Sequence, residues 1–278
     1  MSELTVERDG VTLAGTDEDE RTTLPPIVLL HGLTATRRYV VMGSKALQRG
    51  GHRVVAYDAR GHGRSSPAPT PDAYGYELLA ADLEAVLDAA GIERAVLAGA
   101  SMGAHTLLRF ALDAPERVAG LVVVTPAYDP VTQDDPRRLD HWDALSTGLR
   151  EGGIEGFVEA NRVERMPAAW QETVRTVLRQ RLAQHDHLDA VADALHAVPR
   201  SRPFETLHDL AELDGIPAVV VASRDEADPG HPLAIGEAYA AAIPGAELRV
   251  EEEGRSPLAW QGGQLSRVIA ELAARAVV

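Results

Sequence analysis

The stretch Ala95-Val96-Leu97-Ala98-Gly99-Ala100-Ser101-Met102-Gly103 governs how the rest of the chain is read. Four apolar residues run into G-x-S-x-G, and a helical pattern follows at His105-Thr106-Leu107-Leu108-Arg109-Phe110-Ala111-Leu112. A strand, a serine between two glycines, and then a helix form the context that a nucleophile elbow requires. The turn is sharp. Gly99 and Gly103 suit it because neither has a Cβ to clash with the helix as it packs back. Such a turn lifts the Ser101 hydroxyl to the end of a strand, exposed to a substrate. The plainer reading is a glycine-rich turn that contains a serine by chance, and the flanking strand and helix weigh against it.

The same alternation extends on both sides. Short apolar runs occur at Ile27-Val28-Leu29-Leu30, Val54-Val55-Ala56-Tyr57, Leu121-Val122-Val123-Val124, Ala218-Val219-Val220-Val221 and, more mixed, Glu247-Leu248-Arg249-Val250. The middle runs show little polar alternation, as strands buried on both faces do. Between them, residues 76–90 repeat apolar positions at helical spacing, and a last helix is expected near Ser266 to Ala276. Alternating strands and helices predict an α/β fold: a doubly wound, mostly parallel sheet flanked by helices. The alternation stops between about Asp129 and Leu213. That stretch is polar, helical in character, and holds Trp142 and Trp170. It is too long for a plain loop. We therefore expect a core of residues 1–128 and 214–278, with residues 129–213 inserted as a helical cap over the strand ends. The alternative is a set of extra packing helices with no part in substrate choice.

Bulk composition narrows the function. The chain has 278 residues, 45% hydrophobic and 25% charged, which is ordinary for a globular protein. Its formal net charge of −15 argues against nucleic acid or an anionic membrane as partner, since both require a positive footprint. There is no cysteine, so disulfides and thiolate chemistry are excluded. No basic-then-apolar leader follows Met1, and no run approaches the roughly 20 apolar residues of a membrane span. The expected compartment is the cytoplasm. His185-Asp186-His187 does not make a metal site, because residues two apart on a helix diverge. No metal and no cofactor is expected, and oligomeric state cannot be read from the sequence.

Serine attacks an acyl carbon only when a base takes its proton, and the oxyanion that forms needs fixed donors. His31-Gly32-Leu33 ends the first buried run. The backbone N–H groups of Leu33 and Met102 are the candidate oxyanion donors, and Met102 also opens a helix, where negative charge is favoured. His31 and Gly32 are placed at the edge of the substrate pocket, the imidazole itself without a chemical task.

His31-Gly32, then Tyr57-Asp58-Ala59-Arg60-Gly61-His62-Gly63-Arg64-Ser65, then Gly99–Gly103, resembles the α/β-hydrolase fold superfamily in its esterase, lipase and epoxide-hydrolase-like branch. The resemblance covers most of the chain outside the helical insertion. It implies that Asp58, Arg60 and His62 fix a loop. It also implies a catalytic acid after a late strand and a histidine after the last one. Asp225 and Asp228 are the acid candidates. Asp225 has the better distance from Val219-Val220-Val221, and Asp228 is close behind. At the histidine position stands Gly254-Arg255-Ser256-Pro257, and no histidine occurs after His231. Arginine stays protonated and cannot act as the base.

His231, on the loop that carries both candidate acids, is the best substitute. Either acid could hold its imidazole in the working tautomer. The competing reading is that His231 packs against the following helix. His105, one turn past Ser101, is expected to be structural. For Arg255, an ion pair with Asp225 ranks first, then a cation for a substrate carboxylate or phosphate at the pocket, then a plain exposed arginine. The function these readings imply is a serine esterase acting on a small ester-like molecule through an acyl-enzyme, without cofactor. The rivals are a catalytically impaired member that binds or senses a small ligand, and lyase or perhydrolase chemistry on the same elbow.

Overall fold

The computed structural model describes residues 2–18, 23–224, 226 and 228–276. Among these, eight strands form one sheet in the order β1-β2-β4-β3-β5-β6-β7-β8. The first two strands are β1 (Ser2–Arg8) and β2 (Val11–Glu18), and the inner ones are β3 (Ile27–Leu30), β4 (Val54–Tyr57), β5 (Ala95–Ala100) and β6 (Val118–Val124). The last two are β7 (Ala218–Ala222) and β8 (Glu247–Val250). Pairing is antiparallel for β1 with β2 and for β2 with β4, and parallel for the rest. Each apolar run read from the sequence forms a strand. The β1–β2 hairpin was not anticipated. It turns at Asp9 and Gly10, both with positive φ (48° and 78°), as a tight hairpin turn demands.

Alternation along the buried strands divides the core in two, because successive side chains leave opposite faces of a sheet. Val28, Leu30, Val55, Tyr57, Leu97, Leu121, Val123 and Val220 face one side. There they meet α2 (Tyr76–Ala89), α3 (Met102–Asp113) and α7 (Leu233–Ala242). Ile27, Leu29, Val54, Ala56, Val96, Ala98, Val122 and Val221 face the other side, against α1 (Ala46–Arg49) and α8 (Gly262–Ala273). Helices on both faces explain why these strands carry so little polar alternation.

Between β6 and β7 lie α4 (Pro136–Ala160), α5 (Ala168–Leu182) and α6 (Leu188–Ala197). α4 doubles back at Gly153 (φ 60°), and a Cβ on Gly148 would lie 2.6 Å from the Gly156 carbonyl oxygen. The two arms can meet this closely only with glycine at the contact. Leu145, Leu149, Phe157, Val163, Leu182 and Leu195 give these helices a core of their own. Ala190, Ala194 and Val198 pack instead on Ala59, Tyr76, Leu79 and Met102. The helical segment therefore sits against the loops that follow β4 and β5. His185 and His187 lie in the turn between α5 and α6, not on a helix as the sequence reading had them. No described helix is long and apolar enough to cross a membrane.

Candidate active site

Ser101 stands between β5 and α3 with φ 51° and ψ −112°, a conformation that side chains rarely adopt. Strain of this kind persists only where the surroundings enforce it. Here the Ser101 N–H donates to the Val124 carbonyl (2.9 Å), and the Ser101 carbonyl accepts from the His105 N–H (3.0 Å). The two glycines of the elbow are sterically required. A Cβ on Gly99 would lie 2.4 Å from the Gly103 carbonyl, and one on Gly103 would lie 2.3 Å from the Leu30 carbonyl oxygen.

Ser101 is half-buried, and its Oγ lies 3.0 Å from His231 Nε2. His231 Nδ1 lies 2.8 Å from Asp228 Oδ1. An ionised carboxylate only accepts hydrogen bonds, so Nδ1 carries the proton. Nε2 of the neutral ring is then free to accept from the Ser101 hydroxyl. The pair sits in the loop between β7 and α7, where the His231 N–H also bonds the Asp228 carbonyl (3.0 Å). That turn places the two side chains on one side despite a spacing of only three residues. Asp225, the slightly preferred acid in the sequence reading, lies outside the described residues.

The electrostatics follow from this arrangement. Burial pushes the His231 imidazole down, but the charge and hydrogen bond of Asp228 outweigh it, and the net shift is upward. Burial pushes the Asp228 carboxyl up, but His231 and then Arg181 outweigh that, and the net shift is downward. At neutral pH the Asp228 carboxyl is therefore ionised.

The loop after β3 approaches the elbow closely. A Cβ on Gly32 would lie 3.4 Å from the Ser101 Cβ and 3.2 Å from the Ala100 carbonyl. Among the described residues, neither the Leu33 N–H nor the Met102 N–H donates to another protein group. Two backbone donors uncommitted among the described residues thus lie on the loop after β3 and at the start of α3. His31 is buried, with Nδ1 donating to the Gly32 carbonyl (2.8 Å) and Nε2 accepting from the Ala59 N–H (2.9 Å). Both ring nitrogens serve backbone groups, so the imidazole offers no free group to a ligand. Burial pushes its pKa down to about 3.

His105 is also internal. Its Nε2 accepts from the Ala127 and Tyr128 N–H groups (both 3.1 Å), and its Nδ1 faces the Tyr76 hydroxyl (3.0 Å). The Asp58–Ser65 loop is tied by its own polar groups. Asp58 accepts from the Arg37 and Arg64 N–H groups, and Arg60 forks onto Asp82 at 2.7 and 2.6 Å. Arg255 has a side chain 72% exposed, with Nε 3.6 Å from Glu252 Oε2. Among the described residues its ion-pair partner is Glu252, a neighbour in its own turn; Asp225, which the sequence reading ranked first as its partner, lies outside the described residues.

Two side chains that the sequence reading did not single out as site residues also reach the loop after β3. Arg181 at the end of α5 donates from Nη2 to the Leu33 carbonyl (3.0 Å) and to Thr34 Oγ1 (2.6 Å). His185 bridges the Thr34 carbonyl (Nε2, 3.0 Å) and the Gly63 N–H (Nδ1, 2.8 Å). No local sequence signal predicts contacts across more than a hundred residues. Among the described residues no group of histidines and carboxylates is arranged to hold a metal ion.

Comparison with known proteins gives the family and the fold. Residues 25–258 match the alpha/beta hydrolase fold family. A 2-hydroxy-6-oxononadienedioate/2-hydroxy-6-oxononatrienedioate hydrolase from Burkholderia vietnamiensis is 31% identical over 251 residues, spanning 88% of this chain and 85% of the relative. A thermophilic esterase from Thermogutta terrifontis shares the fold with a TM-score of 0.77 at 24% identity, over 99% of each chain. The enol-lactonase from Burkholderia xenovorans LB400 does so with a TM-score of 0.76 at 22% identity, over 98% of this chain and all of that one. The strand order, the strained serine between two obligatory glycines and these relatives lead to one conclusion: the chain belongs to the alpha/beta hydrolase fold family.

Proposed function

We propose that the chain is a serine hydrolase that cleaves small carboxylic esters or related acyl bonds through an acyl-enzyme on Ser101. The observation that carries this reading is the unbroken line of hydrogen bonds from Ser101 Oγ to His231 to Asp228. His231 Nε2 takes the hydroxyl proton as Oγ bonds to the acyl carbon. The carbonyl oxygen becomes an oxyanion and is held by the Leu33 and Met102 N–H groups. As the tetrahedral adduct collapses, the bond to the leaving alkoxide breaks and His231 returns the proton to it. A water molecule then repeats the sequence on the acyl-enzyme, releasing the acid and restoring Ser101. Asp228 keeps the ring in the required tautomer and stabilises the imidazolium that forms transiently.

On this reading the base has moved. The position where the superfamily usually carries histidine is occupied by Arg255, and acid and base come together from the loop after β7. Arg255 itself lies outside the chemistry, which its exposed side chain supports. Residues 129–213 act as a cap that shapes the pocket for a small acyl substrate. Their packing on Met102 and on the loops after β3 and β4 supports this.

The test is covalent trapping. A fluorophosphonate should add once to the unmodified chain, with the mass mapped to the peptide holding Ser101, and should not add to Ser101→Ala. Labelling that survives in Ser101→Ala would overturn the proposal.

A further inference from the structure

The loop after β3 is held from outside. Thr34 is β-branched yet has φ 66°, in the left-handed region, and is buried. Such a residue keeps that conformation only when its surroundings impose it. The groups that do so come from the helical segment between β6 and β7. Arg181 Nη2 bonds both the Leu33 carbonyl and the Thr34 hydroxyl. His185 takes the Thr34 carbonyl on one nitrogen and the Gly63 N–H on the other. A backbone N–H can only donate, so His185 Nδ1 accepts, and Nε2–H donates to Thr34. Every polar group of the Leu33–Thr34 segment named here is gripped by two side chains from one turn of chain. The Arg181 Nε–H, by contrast, is buried with no acceptor among the described residues.

The gripped segment is the one that carries the Leu33 N–H, and it lies against Ser101 through Gly32. We propose that Arg181 and His185 are positioning residues that hold the Leu33–Thr34 backbone in its left-handed turn and so aim the Leu33 N–H at the developing oxyanion. The cap thereby completes the oxyanion hole instead of only covering it. This rests on the serine hydrolase reading above. It predicts that removing the grip weakens transition-state binding while leaving ground-state binding of a neutral ester unchanged, since the donor matters most once charge has developed.

The experiment compares the unmodified chain with Arg181→Met, Arg181→Lys and Arg181→Met/Thr34→Gly on p-nitrophenyl acetate and butyrate. Amide hydrogen exchange is followed over residues 31–36 and over the rest of the cap. Arg181→Met should lower kcat about 10- to 100-fold with KM within about twofold, the scale of a misplaced catalytic contact. Exchange should rise in residues 31–36 and stay unchanged in α4 and α6. Arg181→Lys should recover part of the loss. Thr34→Gly should recover several-fold in the Arg181→Met background, because glycine adopts φ 66° without being held there.

A rise in KM at constant kcat would make Arg181 a substrate-binding group and overturn the proposal. Unchanged kcat, or a loss accompanied by raised exchange throughout the cap with no recovery from Thr34→Gly, would do the same. If the unmodified chain turned over neither ester, the hydrolase reading would fail as well. Turnover by the unmodified chain that Arg181→Met leaves intact would sink only the positioning role.

Discussion

Replacing Asp228 by asparagine separates the acid's charge from its shape. The carboxylate oxygen is 2.8 Å from His231 Nδ1, and the amide fits the same space. An amide nitrogen turned toward Nδ1 donates, which drives the imidazole proton to Nε2, where it blocks acceptance from the Ser101 hydroxyl. In the serine protease triad of unrelated fold, the equivalent substitution costs about 10⁴ in kcat, or roughly 5.5 kcal/mol. We expect a loss of that order here.

The pH profile should move too, in a defined direction. His231 works as a base only when neutral, so kcat/KM rises with pH through its pKa. Burial lowers that pKa, yet Asp228 raises it further than burial lowers it, which puts the midpoint above 6.5. In Asp228→Asn the burial and the opposing charge of Arg181 remain and the carboxylate is gone. The acid limb of the residual activity should therefore shift to lower pH. Initial rates on p-nitrophenyl acetate from pH 5 to 9 read both effects. An Asp228→Asn enzyme within about threefold of the parent, with its acid limb unmoved, would contradict the assignment. So would a loss of similar size from Asp225→Asn in its place.

Gly103→Ala should destabilise the fold, because the new Cβ meets the Leu30 backbone carbonyl at 2.3 Å and no side chain can yield. The overpacking cost of about 1–3 kcal/mol or more exceeds the roughly 1 kcal/mol that alanine gains over glycine in a helix, and the urea midpoint should fall. Acid should weaken the parent through its buried imidazoles. His31 and His105 are both pushed down to about 3, chiefly by burial, and are neutral in the folded chain. The unfolded chain protonates them below pH 6.5, so their contribution is present above that pH and is lost as pH falls toward 3. Between pH 7 and pH 5 each should cost about 2 kcal/mol. Urea midpoints that stay level across this range would speak against neutral burial of the two rings.

The sheet was readable because its inner strands are continuous apolar runs, and the elbow was readable because its glycines have a steric purpose. β1 and β2 were harder to see. β1, the edge strand, buries only Val6, and β2 beside it alternates buried and half-buried positions. The Asp9-Gly10 turn was the available signal for that hairpin. The choice between Asp225 and Asp228 was open because either lies within loop reach of His231. Side-chain convergence depends on the turn that bonds the His231 N–H to the Asp228 carbonyl. Contacts made across the fold leave no local pattern. Arg181 meets Thr34 across 147 residues, and the rings of Trp170 and Trp260 lie 6.0 Å apart, joining α5 to the segment after β8.

The assignment of the base stands or falls on one paired comparison of turnover: His231→Ala beside Arg255→Ala, each against the parent on the same ester. His231 is bonded to Ser101, whereas Arg255 is exposed beside Glu252. His231→Ala should lose activity on the scale of a missing triad histidine, about 10⁴ to 10⁶ in kcat, and Arg255→Ala should stay within about twofold of the parent. Retained turnover in His231→Ala, or a collapse confined to Arg255→Ala, would show that the proton leaves Ser101 by another route.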